Sequence, residues 1–169
     1  MRDPIIRLEA AKDRQAIRSV TKAAFDGMWF AAGDEHELPS LLRSQGALEL
    51  SLVADRDGVV VGHIAVSPAY PDGGDAGWFA IGPVSVLPEF QGLGIGSMLV
   101  KRALGQLAAN KAAGCVLTGD PNYYERFGFV VVPGHAPEGE PAENFMIKLF
   151  EGQLPDGKIR FHSAFHESA

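Results

Sequence analysis

Residues 84–100, VSVLPEFQGLGIGSMLV, run from an apolar stretch through a proline into three glycines within five positions, then resume apolar spacing of helical period. A turn stripped of side chains between a strand and a helix leaves successive backbone N–H groups bare beside the positive end of the helix dipole. Such a turn admits an anion at close range, and phosphate is its usual guest. Each charge-assisted hydrogen bond contributes about 1.5–3 kcal/mol, so a few aligned donors hold a diphosphate without help from a lysine. The stretch contains no basic residue; the first one after the glycines is Lys101.

Two phosphate loops do not fit. The dinucleotide fingerprint G-x-G-x-x-G would need glycine where Ser97 stands, and no acidic residue ends a strand about 20 positions further on. The nucleoside triphosphate loop needs a lysine directly after its last glycine, whereas Lys101 lies well inside the predicted helix. A turn that merely connects strand to helix is the remaining structural alternative.

The flanking sequence reads as mixed α and β. IIRLEA (5–10) has strand character, and 12–28 places Ile17, Val20, Ala24 and Met28 on one helical face. A shorter helix is expected in 34–46, with Pro39 near its start. The run 48–70 predicts two strands joined at Asp57-Gly58, a dipeptide suited to the positive φ angles of a tight hairpin. WFAIGPVSVL (78–87) is the next strand, with a bulge expected at Gly82-Pro83. A long amphipathic helix is predicted over 93–113, with Leu99, Val100, Ala103, Leu104, Leu107 and Ala108 inward. GCVLTGD (114–120) reads as a buried strand, 121–127 as one or two helical turns, and 128–132 as another strand. A Gly/Pro-rich loop (133–141) precedes strands within 143–165. The order centres on a strand, glycine turn, helix, strand unit.

With 169 residues, 46% hydrophobic and 21% charged, the chain has the size of a single domain, 1–169. No apolar run approaches the roughly 18 residues of a membrane span, and charges at Arg2, Asp3, Arg7, Glu9, Lys12, Asp13 and Arg14 do not suit a signal peptide. A cytoplasmic protein is expected, with no membrane partner. The sole cysteine, Cys115, rules out an internal disulfide and fits a reducing compartment. A net charge of -6 opposes an extended nucleic-acid surface. His162 and His166 have no further ligands at metal spacing, so no metal is expected. A homodimer through a sheet edge or the last strands is open.

Gln91-x-x-Gly94-x-Gly96 resembles the cofactor signature of the GNAT superfamily of N-acetyltransferases, in which this turn joins the fourth strand to the third helix. YYERFGF (123–129) resembles the family's second motif through Tyr124, Gly128 and Phe129, and GDPNYYERFGF is similar to a bacterial subgroup of predicted acetyltransferases. The resemblance implies a mostly antiparallel sheet flanked by helices and splayed between its fourth and fifth strands. It implies acetyl-CoA as cosubstrate, with Gln91, Gly92, Leu93, Gly94, Ile95, Gly96 and Ser97 around the pyrophosphate. Val84 and Val86 would lie along the pantetheine arm, with Asn122 a further contact. An N–H near these valines would stabilise the oxyanion, an effect of about 3–4 kcal/mol where measured elsewhere. Tyr124 corresponds to the family's general acid on the departing thiolate, as a hydrogen-bond donor with full proton transfer optional.

The acceptor implied is a small-molecule or peptide amine, attacking directly in a ternary complex. Many relatives carry a carboxylate on the strand before the glycine turn, and WFAIGPVSV has none. Glu35, His36, Glu37, His63 and Glu89 are candidate bases. His63, amid VVVGHIAV, reads first as a hydrogen-bonded core residue, Tyr123 as a packing residue, and Cys115 as core rather than nucleophile. A coenzyme A sensor without turnover, a longer acyl donor, and a protein α-amine acceptor stay open.

Overall fold

A computed structural model describes residues 2–28 and 33–166. Eight strands, β1 (Ile5–Leu8), β2 (Leu50–Arg56), β3 (Val59–Pro71), β4 (Trp78–Val86), β5 (Gly114–Thr118), β6 (Val130–Val131), β7 (Phe145–Leu149) and β8 (Ile159–Phe161), alternate with helices α1 (Arg14–Phe25), α2 (Leu38–Ser44), α3 (Ile95–Ala109) and α4 (Pro121–Tyr124). The strands pair in the order β1-β2-β3-β4-β5-β7-β6, with β8 on β3. The β4–β5 pair is parallel and spans Trp78–Ala80 against Gly114–Val116. The registers of β1–β2, β2–β3, β5–β7, β6–β7 and β3–β8 are antiparallel. This is the mostly antiparallel mixed sheet expected from the sequence.

The chain divides into two compact units, one of Met1–Val66, Gly82–Leu104 and Ser163–Ala169, the other of Ser67–Ile81 and Gly105–His162. In the first, Ile17 and Val20 of α1 bury against Val53 and Val60, and Leu38 and Leu42 of α2 against Ala47 and Ala164. The opposite face of β3 meets α3: a Cβ at Gly62 would lie 3.1 Å from Leu99 and 3.2 Å from Ile95. In the second, Phe129, Phe145, Met146, Ile147 and Ile159 are buried, and Phe145 meets Phe161 edge to face at 6.0 Å.

Local chemistry sets most boundaries. Asp57 and Gly58 both take positive φ, 51° and 88°, and the Asp55 carboxylate accepts the Gly58 N–H at 2.8 Å. Pro39 occupies the first turn of α2, where its missing N–H costs nothing. Departures from expectation have local causes too. Met28 lies beyond α1 and is 39% exposed, because Gly27 turns left-handed after the helix ends. The third helix is shorter than 93–113, bounded by positive φ at Gly94 and Lys111, and Ala108 faces solvent. The strand expected over 128–132 contracts to two exposed valines beside buried Phe129. The Gly82–Pro83 peptide, where a bulge was expected, is cis.

An ion-pair cluster ties β1, β2 and the entry to α1. Arg7 grips buried Asp13 through two nitrogens at 2.7 and 3.1 Å and reaches Asp55 at 3.0 Å, while Asp13 also accepts the Ala10 N–H at 2.7 Å. The Arg7 hydrogen bonds hold the Asp13 carboxyl down to about 2, against the upward push of burial. Asp13→Asn is expected to cost about 2 kcal/mol at pH 7. A carboxylate with a depressed folded-state value stabilises above its ordinary value, near 3.8, and loses that contribution as pH falls through about 2. Urea unfolding from pH 7 to 2 should therefore show the two proteins converging below about pH 4; a gap independent of pH would refute the assignment.

Candidate functional site

The turn singled out from the sequence is built as its composition requires. Gln91 to Gly94 are exposed, and Gly92 and Gly94 adopt φ of 79° and 85°, a region a side chain enters at a cost. The first helical bond runs from the Met98 N–H to the Gly94 carbonyl at 3.0 Å, so the N–H groups of Ile95 and Gly96 have no carbonyl one turn earlier within α3. No acidic residue occupies the first turn of α3. The positive end of a 15-residue helix is thus offered without a counter-charge of its own. Gly96 and Ser97 lie half-buried within that first turn.

Gln91 braces the turn. Its carboxamide donates to the Val86 carbonyl at 3.0 Å, fixing the glycines against the end of β4. On the β3 side, the Leu87 N–H donates to the Val61 carbonyl at 2.9 Å. Backbone groups alternate sides along a strand, so those of Val84 and Val86 point away from β3. The ladder with β5 has ended by then, at Ala80. On that outer edge the Val86 carbonyl is taken by Gln91, and the Val84 groups and the Val86 N–H lie where a bound extended chain would pair.

Tyr124 closes α4, a helix set by a three-residue local code. Asp120 caps it, accepting the Asn122 N–H on its carboxylate and the Tyr123 and Tyr124 N–H groups on its carbonyl, each at 3.0 Å. Pro121 fills the first helical position. Tyr124 is half-buried, with Tyr123 edge-on at 4.9 Å and Phe129 at 6.1 Å. Burial, then the neighbouring Tyr123 and Asp120, push its phenol up to about 12. Tyr123 carries the Arg126 guanidinium 4.5 Å above its ring, consistent with the packing role expected for it. Asn122 is exposed, its N–H spent on the cap.

The candidate bases separate. Glu35 and His36 line a small cleft of about 130 Å³ with Lys22 and Asp26. Glu35 also accepts the Gly33 N–H at 3.0 Å, and Glu37 faces Arg18 at 4.0 Å. Glu89 is exposed in the turn after β4. His63 is wholly buried within a polar chain that sequence reading did not assemble. Arg43 holds Glu9 at 2.9 and 3.1 Å, Ser51 donates to Glu9, and the Ser51 oxygen meets His63 Nε2 at 2.7 Å. A hydroxyl has one proton; with it committed to the Glu9 carboxylate, Ser51 accepts from His63, which fixes the neutral imidazole with its proton on Nε2. Burial holds the imidazole down to about 4, with the Glu9 charge opposing. Burial also works to raise Glu9, but the bonds from Arg43 and Ser51 outweigh it and hold the carboxyl below its usual range. A polar Ser51 inside an apolar strand was the one signal of this network. Cys115 is buried and its thiol is pushed up, with Lys148 opposing.

Comparison with known proteins bears on this arrangement. The model of the Acetyltransferase (GNAT) family matches residues 14–129. An uncharacterised N-acetyltransferase of Escherichia coli, YhbS, is 34% identical over 132 residues, covering 78% of this chain and 76% of its own. The structure of a Brucella melitensis GNAT family acetyltransferase in complex with acetyl-CoA superposes with a TM-score of 0.86 at 43% identity, covering 95% of this chain and 97% of that one. YhbS in complex with CoA superposes with a TM-score of 0.87 at 28% identity, covering 99% and 94%.

His63 is expected to titrate near 4, against an ordinary 6.5, with the neutral ring protonated on Nε2. Because the unfolded imidazole takes its proton first, stability should fall as pH drops from about 6.5 to 4, by up to about 1.4 kcal/mol per pH unit. Nitrogen NMR of labelled histidine reads both the tautomer and the midpoint; a midpoint near 6.5 would contradict the buried assignment.

Proposed function

The chain belongs to the GNAT family of acetyltransferases, and from that premise we propose that it transfers an acetyl group from acetyl-CoA to a primary amine by direct attack in a ternary complex. The observation that carries the reading is the Gln91–Ser97 turn, where left-handed glycines and the N–H groups of Ile95 and Gly96, with no carbonyl one turn earlier within α3, fit a diphosphate. Gln91, Gly92, Leu93, Gly94, Ile95, Gly96 and Ser97 hold the pyrophosphate, and the outer edge of β4 at Val84 and Val86 pairs with the pantetheine amides. Asn122 adds a polar contact. Acetyl-CoA supplies the activated acetyl group: the bond from the amine nitrogen to the acetyl carbon forms, the C–S bond breaks, and coenzyme A leaves as a thiolate that solvent protonates.

Tyr124 donates a hydrogen bond to the sulfur. With its phenol at about 12, surrender of the proton to a thiolate of ordinary value near 8.5 is uphill by about 5 kcal/mol, so Tyr124 keeps the proton and stabilises charge as it develops. His63 is a poor match for the acceptor's proton: an ammonium near 10 and an imidazole near 4 differ by about 8 kcal/mol. The protein is read as one cytoplasmic transferase domain, with a small-molecule or peptide amine as acceptor.

Thiol release from acetyl-CoA across a panel of polyamines, aminoglycosides and peptide α-amines tests the reading. At least one amine is expected to support turnover, with Tyr124→Phe slowing it about 10²-fold. Tight binding of acetyl-CoA without turnover on any amine would overturn the transferase assignment. Gly94→Val is expected to weaken acetyl-CoA at least about tenfold in calorimetric titration while the fold persists; an unchanged affinity would move the phosphates elsewhere.

A further inference from the structure

Gly119 stands between β5 and the cap of α4, and its backbone gives no reason for glycine. It is absent from the residues of positive φ, so no left-handed conformation demands glycine there. What excludes a side chain is Tyr124. A Cβ on Gly119 would lie 2.6 Å from Cε2 and 2.9 Å from Cδ2 of the Tyr124 ring, and 3.2 Å from Leu117. Ordinary contact begins near 3.4 Å, so the ring would have to retreat by about 1 Å.

The surface beneath the ring is itself fixed. The Gly119 N–H donates to the Asn144 carbonyl, and the Asn144 carboxamide donates back to the Gly119 carbonyl, both at 3.0 Å. Immediately beyond, Asp120 caps the helix that carries Tyr124. The remaining sides of the ring meet Tyr123, Phe127 and Phe129, at centroid distances of 4.9, 6.2 and 6.1 Å. Bare backbone on one side and aromatic edges on the others leave the phenol one seat. We propose that Gly119, locked by Asn144, is a positioning residue for acetyl transfer: its missing side chain sets where the Tyr124 hydroxyl stands. The segment Gly119-Asp120-Pro121 then supplies in turn a floor, a cap and a helix start. The inference rests on Tyr124 acting at the departing sulfur.

The test is a double-mutant cycle between Gly119→Ala and Tyr124→Phe in steady-state acetyl transfer. A 1 Å displacement of a reacting group costs up to about 10²-fold. Gly119→Ala is expected to lower kcat about 10- to 100-fold with KM for acetyl-CoA within about twofold, and to change kcat less than about twofold when Phe already stands at 124. Labelled-tyrosine NMR should show the Tyr124 titration falling from about 12 toward its ordinary 10 as the ring moves out. Equal losses in both backgrounds would make Gly119 a packing residue only and overturn the proposal, as would a wild-type rate for Gly119→Ala beside a slow Tyr124→Phe. A wild-type rate for Tyr124→Phe would instead overturn the reading of Tyr124, and this inference with it. Should Gly119→Ala not fold, Asn144→Ala removes the lock without adding an atom. Its smaller loss of kcat must likewise vanish in the Tyr124→Phe background, and a loss that persists there refutes positioning.

Discussion

The start of α3, where the first N–H groups have no carbonyl one turn earlier within the helix, is the constraint around which the proposed site is arranged. A helix begins with such groups, and most chains cover them with a side-chain cap. Here the entry to α3 has glycines in left-handed conformation, no acidic residue in the first turn, and a glutamine whose carboxamide is spent on Val86. The positive helix end is therefore left without a counter-charge of its own. The end of β4 has run past its ladder with β5, which stops at Ala80, and of its outer backbone groups the Val86 carbonyl is held by Gln91. In the function proposed above, these two features meet a diphosphate and the amides of an extended arm.

Burial acts in one direction on three titratable groups. It pushes His63 down and Tyr124 and Cys115 up, in each case favouring the neutral form. Such groups are better hydrogen-bond partners than proton carriers. This suits direct transfer, where the protein orients an amine and a thioester and stabilises charge as it develops. It also explains the chain from Arg43 to His63: a charged pair near the surface sets the orientation of one hydroxyl, which sets the tautomer of a ring inside the core.

Several elements were legible because their causes are local. Asp57-Gly58 announced its hairpin through backbone conformation, Pro39 the start of α2, and the glycines at 92 and 94 the mouth of α3. The errors were local as well: apolar period alone carried the third helix past Gly94 and Lys111, where positive φ breaks it, and carried the first out to Met28. The strand at 128–132 was overcalled because Phe129 turns inward while Val130 and Val131 stay exposed, and an apolar run does not disclose which of its members face solvent.

By itself the sequence determined the order of elements, the turn chemistry and the family-like spacing of Gln91, Gly94, Gly96 and Tyr124, since each depends on residues within a few positions of one another. Only the tertiary structure decided that His63 is neutral with its proton on Nε2, that Glu9 and Ser51 are its partners, and that Gly119 lies under the Tyr124 ring. A proton's affinity for its site, and the room beside an α-carbon, are set by whatever packs nearby. For His63 those neighbours come from the end of β1 and from β2, drawn together only when the strands pair.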